Sequence, residues 1–453
     1  MRLGYHTASR CCEAICVNKT VNMREINKAK NKSVAILGGG ISGLTAAYDL
    51  AQHGHKVTLF EKAPILGGLA VGFKGKGWDW PLERAYHHLF SNDNDIIDFA
   101  KEIGFNDIYF SEPHTDSLYS TKNGYETFPV DTPLDFLRLP LLGPIDKLRG
   151  VLGLGVLKML PFFSYYESIS AEEFTKKFMG RRMWEVFFQQ LFRKKYGKYA
   201  GNILASFLWA RIHKRTKDLG YIKNGFQSFI EHLEKKDVEL GVEIRKNYEI
   251  NNIEKKGDAF VIDKEKFDVI ISTLPSPILA KAASKLLPEA YLKRIQNLHY
   301  LHARVLIIET DKPFLDGTYW LNVCTDKVPL MLVAQHTNFV DKKHYNNNHI
   351  AYVGYYLERD DKIMKMSEDE FKKEVLSGLK KFITKDFKVI KTYDFIGPFA
   401  QPIFDTAFVK NRPDFITPVP NFYIANLDMT YPYDRGTNYA VKLGREVSAL
   451  ISR

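Results

Sequence analysis

Val34-Ala-Ile-Leu-Gly38-Gly39-Gly40-Ile41-Ser42-Gly43 reads as a short apolar strand running into a glycine turn that opens a helix. The spacing G-x-G-x-x-G assigns each glycine a task. Gly38 permits a tight turn, Gly40 lets backbone approach a pyrophosphate, and Gly43 lets helix and strand pack closely. Ile41 and Ser42 open the helix, whose free N–H groups and positive end favour phosphate. An Ala-rich helix over Leu44–His53 closes at Gly54, and Val57-Thr-Leu-Phe60 is a second buried strand ending in Glu61. A carboxylate there accepts hydrogen bonds from ribose hydroxyls and repels a 2′-phosphate. Strand, turn, helix, second strand and acid together predict a dinucleotide site of the Rossmann type.

The rest of the chain is consistent with a globular enzyme of about two or three domains. Its 453 residues are 45% hydrophobic and 26% charged, with a net charge of +11. Residues 1–32 hold seven Lys/Arg against two Glu, so +5 sits there and a mild +6 is left for the remainder. That balance suits an anionic substrate or acidic membrane surface and does not call for nucleic acid. Of the cysteines, Cys11, Cys12 and Cys16 cluster at the N-terminus and Cys324 stands alone, so no disulfide framework forms and a reducing, cytoplasmic setting is expected. The cysteine cluster lacks zinc spacing, and no metal is expected. No apolar run is long enough to span a bilayer. The first 32 residues read as a disordered basic extension, with Met23 as the alternative start, or as an organelle-targeting peptide.

Strand patterns return at Val242–Ile244, Phe260–Ile262, Asp268–Ser272 and Phe422–Ala425, followed by a helix from Thr437 to Ile451. The predicted class is α/β: a three-layer Rossmann-like domain from residues 33–90, 236–285 and 416–453. It is interleaved with a mixed α+β substrate domain, residues 91–235 (a helical insert) and 286–415 (a sheet). Amphipathic or charged helices are expected at 93–104 and 367–384.

Glu61-Lys-Ala-Pro-Ile-Leu-Gly-Gly-Leu-Ala70 closely resembles the flavoprotein amine oxidase superfamily, which includes protoporphyrinogen oxidases and phytoene-type desaturases. Val242–Pro275 and Asn421–Gly444 resemble that family's adenosine-side strand and its C-terminal flavin segment. The resemblance implies FAD as cofactor and hydride transfer from a C–H or C–N bond to the flavin. It places Glu61, Lys62, Gly67, Gly68 and Leu69 along the cofactor, Asp428 near its pyrophosphate or ribityl chain, and Gly436, Thr437 and Asn438 beside the flavin. Two departures stand out: Leu69 where many relatives carry Arg, and Asn426-Leu-Asp428 where a Gly-Asp pair is usual.

Glu83–Phe90 also resembles the matching stretch of UDP-galactopyranose mutases, which implies a non-redox alternative. His87 and His88 are candidates to move a proton or steady charge near the flavin. In a strand their side chains would point to opposite faces, so at most one would face the cofactor. The cationic, aromatic stretch Lys176–Arg215 offers Arg193, Lys195 and Arg211 to an anionic small molecule, or forms a solvated basic face over a helical core. Phe136–Leu142 and Val151–Phe163 form either helical core or a peripheral membrane contact. Tyr431 and Tyr433 would form an aromatic cage or pack structurally. The oligomeric state has no signature in the sequence.

Overall fold

β1 (Ser33–Leu37) is buried from Val34 to Leu37 because both faces of its sheet are covered, which is why it reads as an unbroken apolar run. The chain turns through Gly38–Gly40 into α1 (Ile41–Gln52), which is buried from Ile41 to Leu50. It returns in β2 (Lys56–Phe60), parallel to β1 with Val34 opposite Val57. Three helices that matter for the site follow in the next stretch: α2 (Pro144–Met159), α3 (Gln189–Tyr196) and α4 (Ala205–Lys214). Later segments add β3 (Glu243–Arg245), β4 (Val269–Ser272), β5 (Phe422–Ile424) and α5 (Thr437–Ile451). The computed structural model that shows this describes residues 31–452. The expectations for residues 1–30, with the Cys11, Cys12 and Cys16 cluster and Met23, lie outside the described residues.

The first sheet has the order β3-β2-β1-β4-β5, every pair parallel. One face is covered by α1 and α5, which pack so closely that a Cβ on Gly444 would lie 2.6 Å from the Ser42 carbonyl oxygen. The other face carries a three-stranded antiparallel meander (254–267) between β3 and β4, whose Phe260 and Phe267 join Phe60 and Ile270 in one core. Strand order reverses direction between β1 and β4, and a crevice opens at their carboxyl ends, the usual ligand position in open parallel sheets. Thr273 closes the floor of that crevice: its N–H donates to the Leu37 carbonyl (2.9 Å) and its hydroxyl to the Gly38 carbonyl (3.1 Å).

A second sheet of seven strands stands beyond the crevice. Its order is Val389–Pro402, Tyr300–Thr310, His349–Leu357, Leu332–Gln335, Thr318–Val323, His114–Thr121 and Gly124–Pro129. Thr318–Val323 and His114–Thr121 run parallel, and the other neighbours are antiparallel. The stretch 91–235 therefore contributes strands as well as helices. His114–Thr121 mixes Thr, Ser and Asp with Leu and Tyr, and burial comes from its pairing with Thr318–Val323, a partner about 200 residues away in sequence. Helices lie at Asn94–Glu102 and Glu368–Lys380, inside the expected stretches.

Candidate cofactor and substrate site

A cavity of about 1010 Å³ runs from the glycine turn, past the N-terminus of α5, into a chamber between the second sheet and α3 and α4. Gly38 has φ +106°, a conformation that side chains disfavour, and its N–H donates to the Phe60 carbonyl at 2.8 Å. A Cβ on Gly43 would sit 2.1 Å from the Gly38 carbonyl oxygen, so the start of α1 is pressed directly onto the turn. Gly40 differs: an added Cβ would meet only the Gly68 Cα, at 3.9 Å. Open space over its backbone is what an approaching phosphate requires. Ile41 and Ser42 border the cavity too, and the Ser42 hydroxyl is held by the Ala425 carbonyl at 3.0 Å.

Glu61 is oriented by its neighbours. Its two carboxylate oxygens accept the Gly39 and Ala63 N–H groups, each at 2.8 Å, and keep further lone pairs for a ligand. Lys62 follows on the rim. Gly67 and Gly68 have φ +128° and +58°, and the Gly67 N–H donates to the Gly39 carbonyl at 2.9 Å, which lays the doublet alongside Gly40. Leu69 continues that wall. At the far side Gly436 caps α5, and Gly436, Thr437 and Asn438 line the cavity. The Asn438 amide is already engaged, accepting the Ile96 N–H (3.1 Å) and donating to Asp95 (2.9 Å), so its backbone is what remains for a ligand. A turn open over Gly40, an oriented acid and a free helix N-terminus fit a dinucleotide.

Asp428 corrects the sequence reading. Its carboxylate does not border the cavity; it is buried behind it, accepting hydrogen bonds from the hydroxyls of Ser276 and Tyr300. Burial, partly offset by those bonds, pushes its carboxyl up to about 6. The cause is the short helical turn Leu427–Thr430, which aims Leu427 and Thr430 at the cavity and Asp428 away.

The histidines need a correction as well. Residues 84–88 are irregular rather than strand, so His87 and His88 both border the cavity. His87 Nδ1 lies 2.7 Å from the Ala85 carbonyl, and His88 Nδ1 lies 3.2 Å from the Tyr319 hydroxyl. Burial pushes His87 down to about 4, and burial with the nearby Arg211 pushes His88 down to about 3, so both are neutral at pH 7.

Tyr431 and Tyr433 do not form a pair. Tyr431 is buried among Phe163, Phe404 and Phe408, with its hydroxyl 2.6 Å from Ser206, and does not reach the cavity. Tyr433 does line it, stacked on Tyr439 with centroids 4.9 Å apart and planes at 13°. Arg193 is exposed outside the cavity, whereas Lys195 lines it. Positions two apart on a helix, as Arg193 and Lys195 are, differ by about 200°, so their side chains leave on nearly opposite sides.

Lys195 from α3 and Arg211 from α4 each lie 2.7 Å from Asp434, and Arg435 stands beside them. Burial pushes Lys195 down to about 7 against the pull of Asp434. Burial would raise Asp434, but Lys195 and Arg211 outweigh it and hold the carboxyl below its usual range. Arg435 donates to Gln401 (2.7 Å) and to the Tyr356 hydroxyl, which is 3.0 Å from that of Tyr86. Tyr356, Asp434, Arg435 and Tyr439 line the cavity and were missed as site residues, as was Gln401, which is buried behind it and supports Arg435. The adjacency of Asp434-Arg435 to Gly436 was a usable signal; Tyr356 and Gln401 come from distant strands with no local motif. Apolar side chains complete the lining: Phe187, Leu191 and Phe207 beside the cations, and Trp320, Met331 and Phe395 on the side of the second sheet.

A family model described as flavin containing amine oxidoreductase matches residues 41–452. Zeta-carotene desaturase of Zea mays is 30% identical over 132 residues, which are 27% of this chain and 23% of that protein, so the chain spans under a quarter of that relative's length. A protein of Synechococcus elongatus described as a probable zeta-carotene desaturase is 23% identical over 460 residues, 86% of this chain and 92% of its own. Among solved structures, an oxidoreductase from Methanosarcina mazei is 20% identical with a TM-score of 0.71, covering 93% of this chain and 100% of that one. Reduced UDP-galactopyranose mutase is 15% identical with a TM-score of 0.71, covering 92% and 95%.

Proposed function

The chain belongs to the flavin containing amine oxidoreductase family, and from that premise we propose that it is an FAD-dependent oxidoreductase taking hydride from a C–H or C–N bond of a small-molecule substrate. The observation that carries this reading is the continuity of one cavity from Gly40, Glu61 and Gly67 to His87, His88, Lys195 and Arg211. Its cofactor is FAD, and the flavin, when bound, supplies the redox chemistry. We assign its pyrophosphate to the Gly38–Gly43 turn and the start of α1, its ribose to Glu61, and its flavin end to the backbone at Gly436–Asn438, with residues 33–90, 236–285 and 416–453 as the cofactor-binding half.

The chain's own side chains bind, orient and exclude water. Apolar lining lowers the dielectric around the more buried groups of the chamber, which strengthens their charge interactions. Neutral His87 and His88 are available as hydrogen-bonding polar contacts, while Tyr433 on Tyr439 presents a rigid aromatic face to the substrate.

Pro113, Thr115, Asp131 and Arg215–Lys217 line the cavity near the end of α2, where Lys158 Nζ donates to the His213 carbonyl at 2.7 Å. Beside it α2 exposes Ile145, Leu148, Leu152 and Met159, each more than 60% accessible, with Lys147, Arg149 and Lys158 interleaved. We read this face as a peripheral contact with an anionic lipid surface. No helix among the described residues is long and apolar enough to cross a membrane.

The cationic cluster favours one rival, a non-redox mutase acting on a nucleotide sugar. Anaerobic rapid mixing of the oxidised holoprotein separates the two. Bleaching of the flavin by alkyl amines or polyunsaturated substrates supports the oxidoreductase. Turnover of a uridine diphosphate sugar by pre-reduced flavin alone, with no net electron change, refutes it.

A further inference from the structure

The substrate chamber holds more positive charge than its own carboxylates neutralise. Lys195 Nζ and Arg211 Nη1 each reach the same oxygen of Asp434 at 2.7 Å, and Arg435 lies 4.0 Å from the other. Two permanent cations, Arg211 of α4 and Arg435 of the loop before α5, together with Lys195 of α3, which burial brings down to about 7, thus share one acid. The next acids along the wall are already engaged, Asp93 with Lys214 at 3.2 Å and Asp131 with Arg215 at 3.7 Å. Gln401, Tyr356, Tyr86 and the neutral His88 supply no charge. Arg211 is the most open of the three, with 49% of its side chain accessible against 19% for Lys195 and 22% for Arg435. Its guanidinium has five N–H donors, and one of them is taken by Asp434. An excess of charge in a partly buried site favours a counterion, and a planar fork is suited to an oxyanion with two oxygens. The same wall continues as Phe187, Phe188, Leu191, Phe192, Leu208 and Ile212, apolar throughout.

We propose that Arg211, Lys195 and Arg435 form an oxyanion subsite that takes the carboxylate or phosphate end of an amphiphilic substrate whose apolar body lies along α3 and α4. The subsite rests on reading the chamber as the substrate end of the oxidoreductase cavity. It deepens that reading by naming the substrate class. Arg211 anchors the anion, Lys195 and Arg435 neutralise it, and Asp434 holds all three cations in place.

The test is binding to the holoprotein without turnover, by calorimetry, using dodecanoate, dodecyl phosphate, dodecanol and uridine diphosphate below any micelle threshold. At least one of the two anionic amphiphiles binds at least about tenfold tighter than dodecanol, and whichever is tighter identifies the oxyanion. Arg211→Met removes that preference, Arg211→Lys retains part of it, and Arg193→Met, on the exposed side of α3, leaves it intact. Melting temperature and the flavin spectrum report that each variant is folded. Equal binding of dodecanol and both anions, or an undiminished preference in folded Arg211→Met or Arg211→Lys, overturns the subsite. Uridine diphosphate binding as tightly as dodecyl phosphate overturns the apolar half of the proposal. Because no turnover is involved, anion selectivity with a flavin that no substrate reduces would count against the oxidoreductase reading alone.

Discussion

Replacing Gly40 or Gly43 by alanine adds the same methyl group at two neighbouring glycines and should have opposite consequences. At Gly43 the new Cβ would lie 2.1 Å from the Gly38 carbonyl oxygen, far inside the 3.0 Å below which real Cβ atoms are essentially never found. That oxygen belongs to backbone pinned by the Gly38 N–H bond to Phe60, so it cannot withdraw. The helix cannot easily tilt either, because Ser42 and Thr45 are packed against Gly444 of α5. Overpacking of this kind costs about 1–3 kcal/mol, and the rigid surroundings place Gly43→Ala near the upper end. A loss of about 3 kcal/mol lowers the melting temperature by roughly 3 °C, because an unfolding entropy of about 2.1 cal/mol/K per residue is summed over the 453-residue chain. Gly40 has φ −75° and ψ 173°, which alanine adopts freely, and its Cβ would touch only the Gly68 Cα at 3.9 Å. The apoprotein should therefore melt within about 0.5 kcal/mol of the parent. Its methyl would nevertheless stand where the pyrophosphate approaches, and FAD affinity should fall at least about tenfold. Thermal melts of the apoproteins and quenching of flavin fluorescence on titration measure the two effects separately. If Gly40→Ala binds FAD as the parent does, the turn does not receive the pyrophosphate. If both variants melt alike, the packing argument is wrong.

Asp237 is buried with no hydrogen-bond partner for either carboxylate oxygen, and burial holds its carboxyl well above the usual range. The unfolded chain loses that proton near pH 4 while the folded one keeps it, so stability falls as pH rises from there toward the raised folded value. Asp237→Asn should flatten that slope and add about 1–3 kcal/mol at alkaline pH, read by denaturant melts from pH 4 to 9. Tyr431→Phe should cost about 1 kcal/mol through the lost contact with Ser206 and leave steady-state kinetics unchanged, whereas Tyr433→Ala should raise KM with little change in melting temperature. Ile145→Asp with Leu148→Asp and Leu152→Asp should reduce flotation with anionic vesicles by at least about tenfold without altering the flavin spectrum.

What could be read from the sequence was local. The strand, turn, helix and acid from Val34 to Glu61 carry their reasons within a few residues of each other, and so did the α5 start at Thr437. Most errors concern the direction of a side chain, which neighbouring sequence does not determine; the strands within 91–235 and the irregular stretch 84–88 are set by long-range pairing. Arg193 and Lys195 belong to one basic run, but only docking of α3 on the second sheet decides which faces inward. Asp428 was displaced by the phase of one short helical turn, and Tyr431 by the aromatic cluster of Phe404 and Phe408. His87 and His88 share the cavity because the chain between two short strands is irregular. Tyr356 and Gln401 enter from strands of the second sheet, and no spacing around them announces it.

The central claim is that the Gly38–Gly43 turn holds FAD, and it is tested most directly by identifying what the purified protein carries. Denaturing the protein and analysing the released small molecule by mass spectrometry should yield FAD at about one per chain, with Gly40→Ala retaining far less. A parent protein that is colourless and cannot be reconstituted with FAD would contradict the account.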